Sequence, residues 1–242
     1  VIGTRGYFGS GNGGGVHIVN LANPYSPQLL GIVNSTTGNG HNSIHEMMVI
    51  NQFGNYILIE NFNGFSSKII KFIDVTNPAS PVFLRDLSPS EPVWVHAMHV
   101  RGDRMFTSGW GSSTQRGRTE IYNIFNVAGQ PPTLLGFIED STSITAGNSM
   151  HSSWSSEDGK YLYSCRETSN GNGDLRTYNI ENPATPLLVN SVGMNALSLN
   201  AVTPHNPVVM GNRLYIAWYQ AGIQVFDLSN PSTPTRVGQY DT

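Results

Sequence analysis

The chain has 242 residues, a formal net charge of −3 and only 12% charged residues. That balance offers no basic stripe for nucleic acid, and no apolar run is long enough to span a bilayer. With charge so scarce, the polar surface must come from Asn, Ser, Thr and Gly, a composition that suits an extracellular setting better than a cytosolic enzyme. Cys165 is the single cysteine, so no internal disulfide forms, and it is expected as a small buried residue on a strand.

In chain order, residues 7–9 and 16–20 read as strands joined by a glycine-rich turn at 9–15. The segment Asn20-Leu21-Ala22-Asn23-Pro24-Tyr25-Ser26-Pro27 follows, and then an apolar run at 29–33. The same grammar returns as Phe72-Ile73-Asp74-Val75-Thr76-Asn77-Pro78-Ala79-Ser80-Pro81. It returns again around Asn182-Pro183-Ala184-Thr185-Pro186 and Asn230-Pro231-Ser232-Thr233-Pro234, and in degraded form from Asn126 to Pro132. The physical logic is plain. An apolar strand ends in Asp or Asn, whose side chain turns the chain; Asn-Pro then stops the ladder because proline has no N–H. The second prolines, at 27, 81, 132, 186 and 234, recur at the period of a propeller or solenoid.

Before each later motif stands a hairpin with Gly54-Asn55, Gly102-Asp103, Gly159-Lys160 or Gly211-Asn212 at its turn. Each unit thus has four strands, and the units run about 1–34, 43–87, 94–138, 149–192 and 203–240, within a single domain 1–242. The first unit lacks an inner strand. Further chain, a three-stranded seam or a strand from a neighbouring molecule would complete it. With no initial Met and no signal peptide, the chain reads as a mature product or as part of something longer.

The Asn-Pro-x-x-Pro pattern resembles the LVIVD repeat of bacterial and archaeal surface proteins, and is similar to the "choice-of-anchor B" secreted proteins. The resemblance implies an all-β fold, a β-propeller of about five four-stranded blades with the first incomplete, and an extracellular or cell-surface location. It names no substrate.

Aligned on the hairpin glycines, His45, His96, His151 and His205 fall at the start of the inner strand of four units. Imidazole suits Cu, Fe or Zn, so these four are the candidate metal ligands, converging near the axis of a propeller. The bland alternative is a histidine that anchors each turn by hydrogen bonding. His96 and His99 are three apart on a strand, so they face opposite sides. His45-Glu46 lacks the second histidine of a zincin helix, and no Gly-Lys-Ser/Thr phosphate loop follows 9–15 or 168–174. No catalytic constellation is found. Asn34-Ser35-Thr36 is a glycosylation sequon.

The leading expectation is a binding or assembly module, self-associating through the incomplete first blade into an oligomer or filament, with a glycan or surface protein as further partners. The alternative is a metal-dependent enzyme on the four histidines. Sugar binding by Trp94, Trp110, Trp154 or Trp218 is the weakest of the three.

Overall fold

In the computed structural model, which describes residues 1–90, 93–139, 149–167, 173–199 and 203–241, consecutive strands pair antiparallel as up-and-down sheets. The first sheet holds β1 (Arg5–Gly9), β2 (Val16–Asn20) and β3 (Gln28–Val33). The second holds β4 (Ile44–Gln52), β5 (Asn55–Phe62), β6 (Ile70–Asp74) and β7 (Val82–Leu87). Next come β8 (Trp94–Arg101), β9 (Arg104–Trp110), β10 (Arg118–Asn123) and β11 (Thr133–Glu139), then β12 (Ser149–Ser155), β13 (Tyr161–Glu167), β14 (Asp174–Asn179) and β15 (Leu187–Gly193). These two sets are joined by one backbone pair, Ser149 opposite Trp110. The last sheet holds β16 (Pro207–Met210), β17 (Arg213–Ala217), β18 (Ile223–Asp227) and β19 (Thr235–Tyr240). One helical turn, α1 (Met194–Leu197), follows β15, a feature the strand pattern does not foreshadow.

The local chemistry matches the repeat. Gly54, Gly102, Gly159 and Gly211 all sit at positive φ (87°, 57°, 69° and 58°), as tight hairpin turns require. Each full motif is a double Asx turn. Asp74 Oδ1 accepts from Thr76 N–H at 2.8 Å and Asn77 Oδ1 from Ala79 N–H at 3.2 Å. Asn20 and Asn23, Asn179 and Asn182, and Asp227 and Asn230 repeat the pair. The last strand of four sheets then bulges against the one before it at one equivalent place.

The chain divides into two compact units. The first comprises Val1–Ser90, Trp94–His96 and Ile124–Thr133, and the second holds most of the remainder. In the first, Val16, Ile18 and Val33 pack on Ile44, Leu58, Ile73 and Val75, so the core lies between two successive sheets. The second unit has two such cores. Phe106, Ile121 and Ile138 meet Met150, Leu162, Tyr178 and Ile180, while Tyr163, Cys165 and Leu175 meet Leu214, Ile216, Trp218 and Phe226. Each fully buried large side chain contributes about 1.5–3 kcal/mol.

Successive sheets also interlock through the Asn-Pro turn. A Cβ on Gly31 would overlap the Pro78 carbonyl oxygen, and one on Gly136 that of Pro183. Glycine stands there because the next turn's backbone lies on it. Arg5 donates to the Val75 and Thr76 carbonyls (3.4 and 3.0 Å), and Arg104 to those of Gly159 and Ile180 (3.2 and 3.4 Å). Tyr163 donates its hydroxyl to the Pro231 carbonyl at 2.9 Å.

Candidate functional site: two histidine pairs

His45 lies in β4, His96 in β8, His151 in β12, and His205 just ahead of β16. The structure brings them together two by two, each pair from adjacent repeats and each inside one unit. In the first unit His45 Nε2 is 2.9 Å from His96 Nε2. His45 Nδ1 is 3.1 Å from Asn63 Oδ1, an acceptor, so Nδ1 carries the proton and Nε2 offers its lone pair. His96 Nε2–H then donates into it. Trp94 walls both rings at 4.8 Å between centroids and is itself fixed by its indole N–H to the Phe62 carbonyl at 2.9 Å.

The second pair has a carboxylate. His151 is fully buried, and its Nδ1 lies 3.2 Å from the His205 carbonyl oxygen. That oxygen only accepts, and Nε2 faces Glu167 Oε2, 3.2 Å away, so the ring is held between two acceptors. The His151 and His205 rings are 4.3 Å apart. Glu167 Oε1 accepts from the Tyr219 hydroxyl. Burial, joined by that carboxylate, pushes the Tyr219 phenol up to about 12. Tyr219 holds a left-handed φ of 37°, unusual for a bulky residue, at the start of a tight turn, Tyr219–Ala221. His205 is set by its own N–H to the Ala217 carbonyl at 2.8 Å, and its ring meets Tyr219 edge-on at 5.1 Å.

Glu167 escapes the histidine alignment, but the repeat carries a signal for it. At one fixed offset from Gly54, Gly102, Gly159 and Gly211 stand Phe62, Trp110, Glu167 and Tyr219. Three repeats place an aromatic ring there and one places an acid.

The other histidines do other work. His99 turns to the face opposite His96, stacks on Trp154 at 4.1 Å, and shares a hydrogen bond with Ser155 Oγ at 3.1 Å. Burial pushes its imidazole down to about 3. His41 Nε2 lies 3.0 Å from the Ile69 carbonyl. Trp94 and Trp218 are buried. Asn34 closes its own turn, with Oδ1 accepting from the Thr36 and Thr37 N–H groups at 3.0 and 2.9 Å. Residues 168–172 of the glycine-rich connection lie outside the described residues.

Residues 206–242 match the family model of the LVIVD repeat. That segment is an LVIVD repeat. Among curated proteins, none matches the sequence. Solved structures share the fold. A Lactobacillus plantarum protein is 14% identical, with a TM-score of 0.75 over 99% of this chain and 68% of that one. A putative 6-phosphogluconolactonase from Bacteroides fragilis is 13% identical, with a TM-score of 0.70 over 100% of this chain and 69% of that one. Sqt1 of Chaetomium thermophilum, solved bound to the N-terminus of a ribosomal protein, is 12% identical, with a TM-score of 0.59 over 98% and 59%. At such identity the likeness shows the fold alone: this chain is an all-β propeller whose first blade has three strands. It spans 59% to 69% of the length of these three structures. Among the described residues, no helix is long and apolar enough to cross a membrane.

Proposed function

We propose that this LVIVD chain is a secreted or cell-surface module that works by binding and self-assembly. The observation that carries the proposal is the outer face of the last blade. Val208, Tyr215, Val225 and Gly238 are successive cross-strand neighbours there, flanked by Met210 and Ile223, which are 66% and 40% exposed. This face keeps the equipment by which earlier blades grip the next repeat. Gly238 holds the place of Gly31 and Gly136, yet a Cβ there would meet nothing closer than Val225 Cβ at 3.7 Å. Arg213 holds the place of Arg5 and Arg104, yet donates to its own blade, to the Asn212 carbonyl and Asp227.

The occupant is the first blade of a second copy. It offers the same double Asx turn, Asn23-Pro24-Tyr25-Ser26-Pro27, with Tyr25 97% exposed. Docking lays the Pro24 carbonyl on Gly238 and brings the carbonyls of Leu21 and Ala22 to Arg213, as Val75 and Thr76 are brought to Arg5. Such a contact is head-to-tail, so it builds a ring or a filament. The scarcity of charge and the LVIVD repeat support a location outside the cell, and the Asn34 sequon turn belongs to the same reading.

Light scattering coupled to size exclusion tests this. Mass should rise with concentration, and Tyr215→Glu should hold the chain at monomer mass without unfolding it. A wild-type chain that stays monomeric overturns the proposal. So does one that ignores its own copies and binds only a different protein.

A further inference from the structure

We propose that the second unit binds one divalent first-row transition-metal ion, of the zinc or iron(II) class, on His151, Glu167 and His205. The inference is independent of the assembly reading, since it uses neither Gly238 nor Arg213. Among the described residues these three form the one group of its kind, with ligand atoms all within 4.8 Å of one another. Ligands at about 2.0–2.2 Å from a shared tetrahedral ion stand about 3.4 Å apart, so a small inward adjustment brings the three onto one ion. Two imidazoles and one carboxylate make a set suited to zinc or non-haem iron, with coordination positions left over for water or a ligand.

The surroundings fit ligation. A metal-bound histidine needs its second nitrogen held by an acceptor, which fixes the tautomer. The His151 ring is placed for that arrangement, with Nδ1 against the His205 carbonyl and Nε2 facing Glu167. Ser152 donates its hydroxyl to the same carbonyl, further pinning the His205 backbone. Tyr219 ties down the outer oxygen of Glu167, leaving Oε2 for the ion, and so acts as a positioning residue. A cavity of about 280 Å³, lined by His205, Trp218, Tyr219, Gly222 and Ile223, opens beside His205.

The sequence supports a dedicated site. The repeat supplies a histidine pair twice, but only here does an acid replace the aromatic residue at the end of the second strand. A pair that only anchored turns would leave that position free to stay aromatic, as Phe62 does beside His45 and His96.

The test is cobalt(II) titration of chelator-stripped protein, read by visible absorption, with zinc affinity from calorimetry. One ion per chain is expected. Glu167→Gln and His205→Ala should each lower zinc affinity by at least about tenfold, and Tyr219→Phe should lower it by about tenfold while circular dichroism stays unchanged. His45→Ala, in the other unit, should leave the affinity as it was. Absence of binding by the stripped wild type overturns the proposal. Binding undiminished in Glu167→Gln and His205→Ala also overturns it.

Discussion

Three glycines in equivalent strands provide an internal control on how the repeats associate. At Gly31 and Gly136 an added Cβ would overlap the carbonyl oxygen of the next repeat's proline. The obstacle is backbone, so no rotamer change relieves it, and two packed sheets must move apart. Overpacking of this kind costs about 1–3 kcal/mol, and the upper end applies where only backbone can yield. None of the three has a positive φ, so alanine is conformationally permitted at each. At Gly238 the nearest atom is the Val225 Cβ, at an ordinary 3.7 Å. Alanine there should change monomer stability by under about 0.5 kcal/mol. Urea denaturation of Gly31→Ala, Gly136→Ala and Gly238→Ala would measure the three costs. Sedimentation of Gly238→Ala should then show weakened self-association in a fully stable chain. Two results would refute the reasoning. One is equal destabilisation at all three positions; the other is a Gly238→Ala protein that assembles like wild type.

Arg213→Ala should weaken assembly while costing the fold little, because its partners Asn212 and Asp227 lie at the surface; sedimentation against concentration checks this. Asn182→Ala removes the acceptor of the Ala184 N–H and should lower stability by about 1 kcal/mol in urea melts. Burial pushes the Glu60 carboxyl up to about 7, against the pull of the His41 N–H and Lys71. A raised folded value means the native state holds the proton longer. Stability should therefore fall by up to about 3 kcal/mol as pH rises from about 4.5 through 7, a slope that Glu60→Gln abolishes. His99 runs the other way. Its depressed folded value makes stability complete above about 6.5 and progressively lost as pH falls toward 3, and His99→Phe should flatten that limb of the stability–pH curve.

The repeat was legible because its rules are local. Asp or Asn followed by Asn-Pro fixes two Asx turns within a few residues, and the hairpin glycines fix the strand before and after. From those anchors the strand order and the blade pattern follow. The pairing of His45 with His96 was also implicit, since equivalent positions of adjacent repeats lie side by side. The opposite facing of His96 and His99 followed from the two-residue period of a strand. What stayed hidden depends on contacts between repeats. Glu167 ends a strand like many surface acids, and only its neighbours His151 and Tyr219, from different strands, give it a role. Glu60 likewise reads as an outward polar residue in an alternating strand, yet it is fully buried. The helical turn α1 has no capping side chain to announce it.

In a chain built from copies, the shared residues serve the fold, and the informative positions are those where one copy differs or stands alone. Gly31 and Gly136 are explained by the turns that lie on them; Gly238 has the same residue with nothing on it, so its explanation must lie in another molecule or another repeat. Phe62 needs no explanation beyond packing, since its carbonyl seats Trp94 against a histidine pair. Glu167 does, because it sets a carboxylate oxygen 3.2 Å from His151 Nε2 with the His205 ring alongside. A metal ion would use the carboxylate and both imidazoles at once, and it also accounts for His205 standing third in the group.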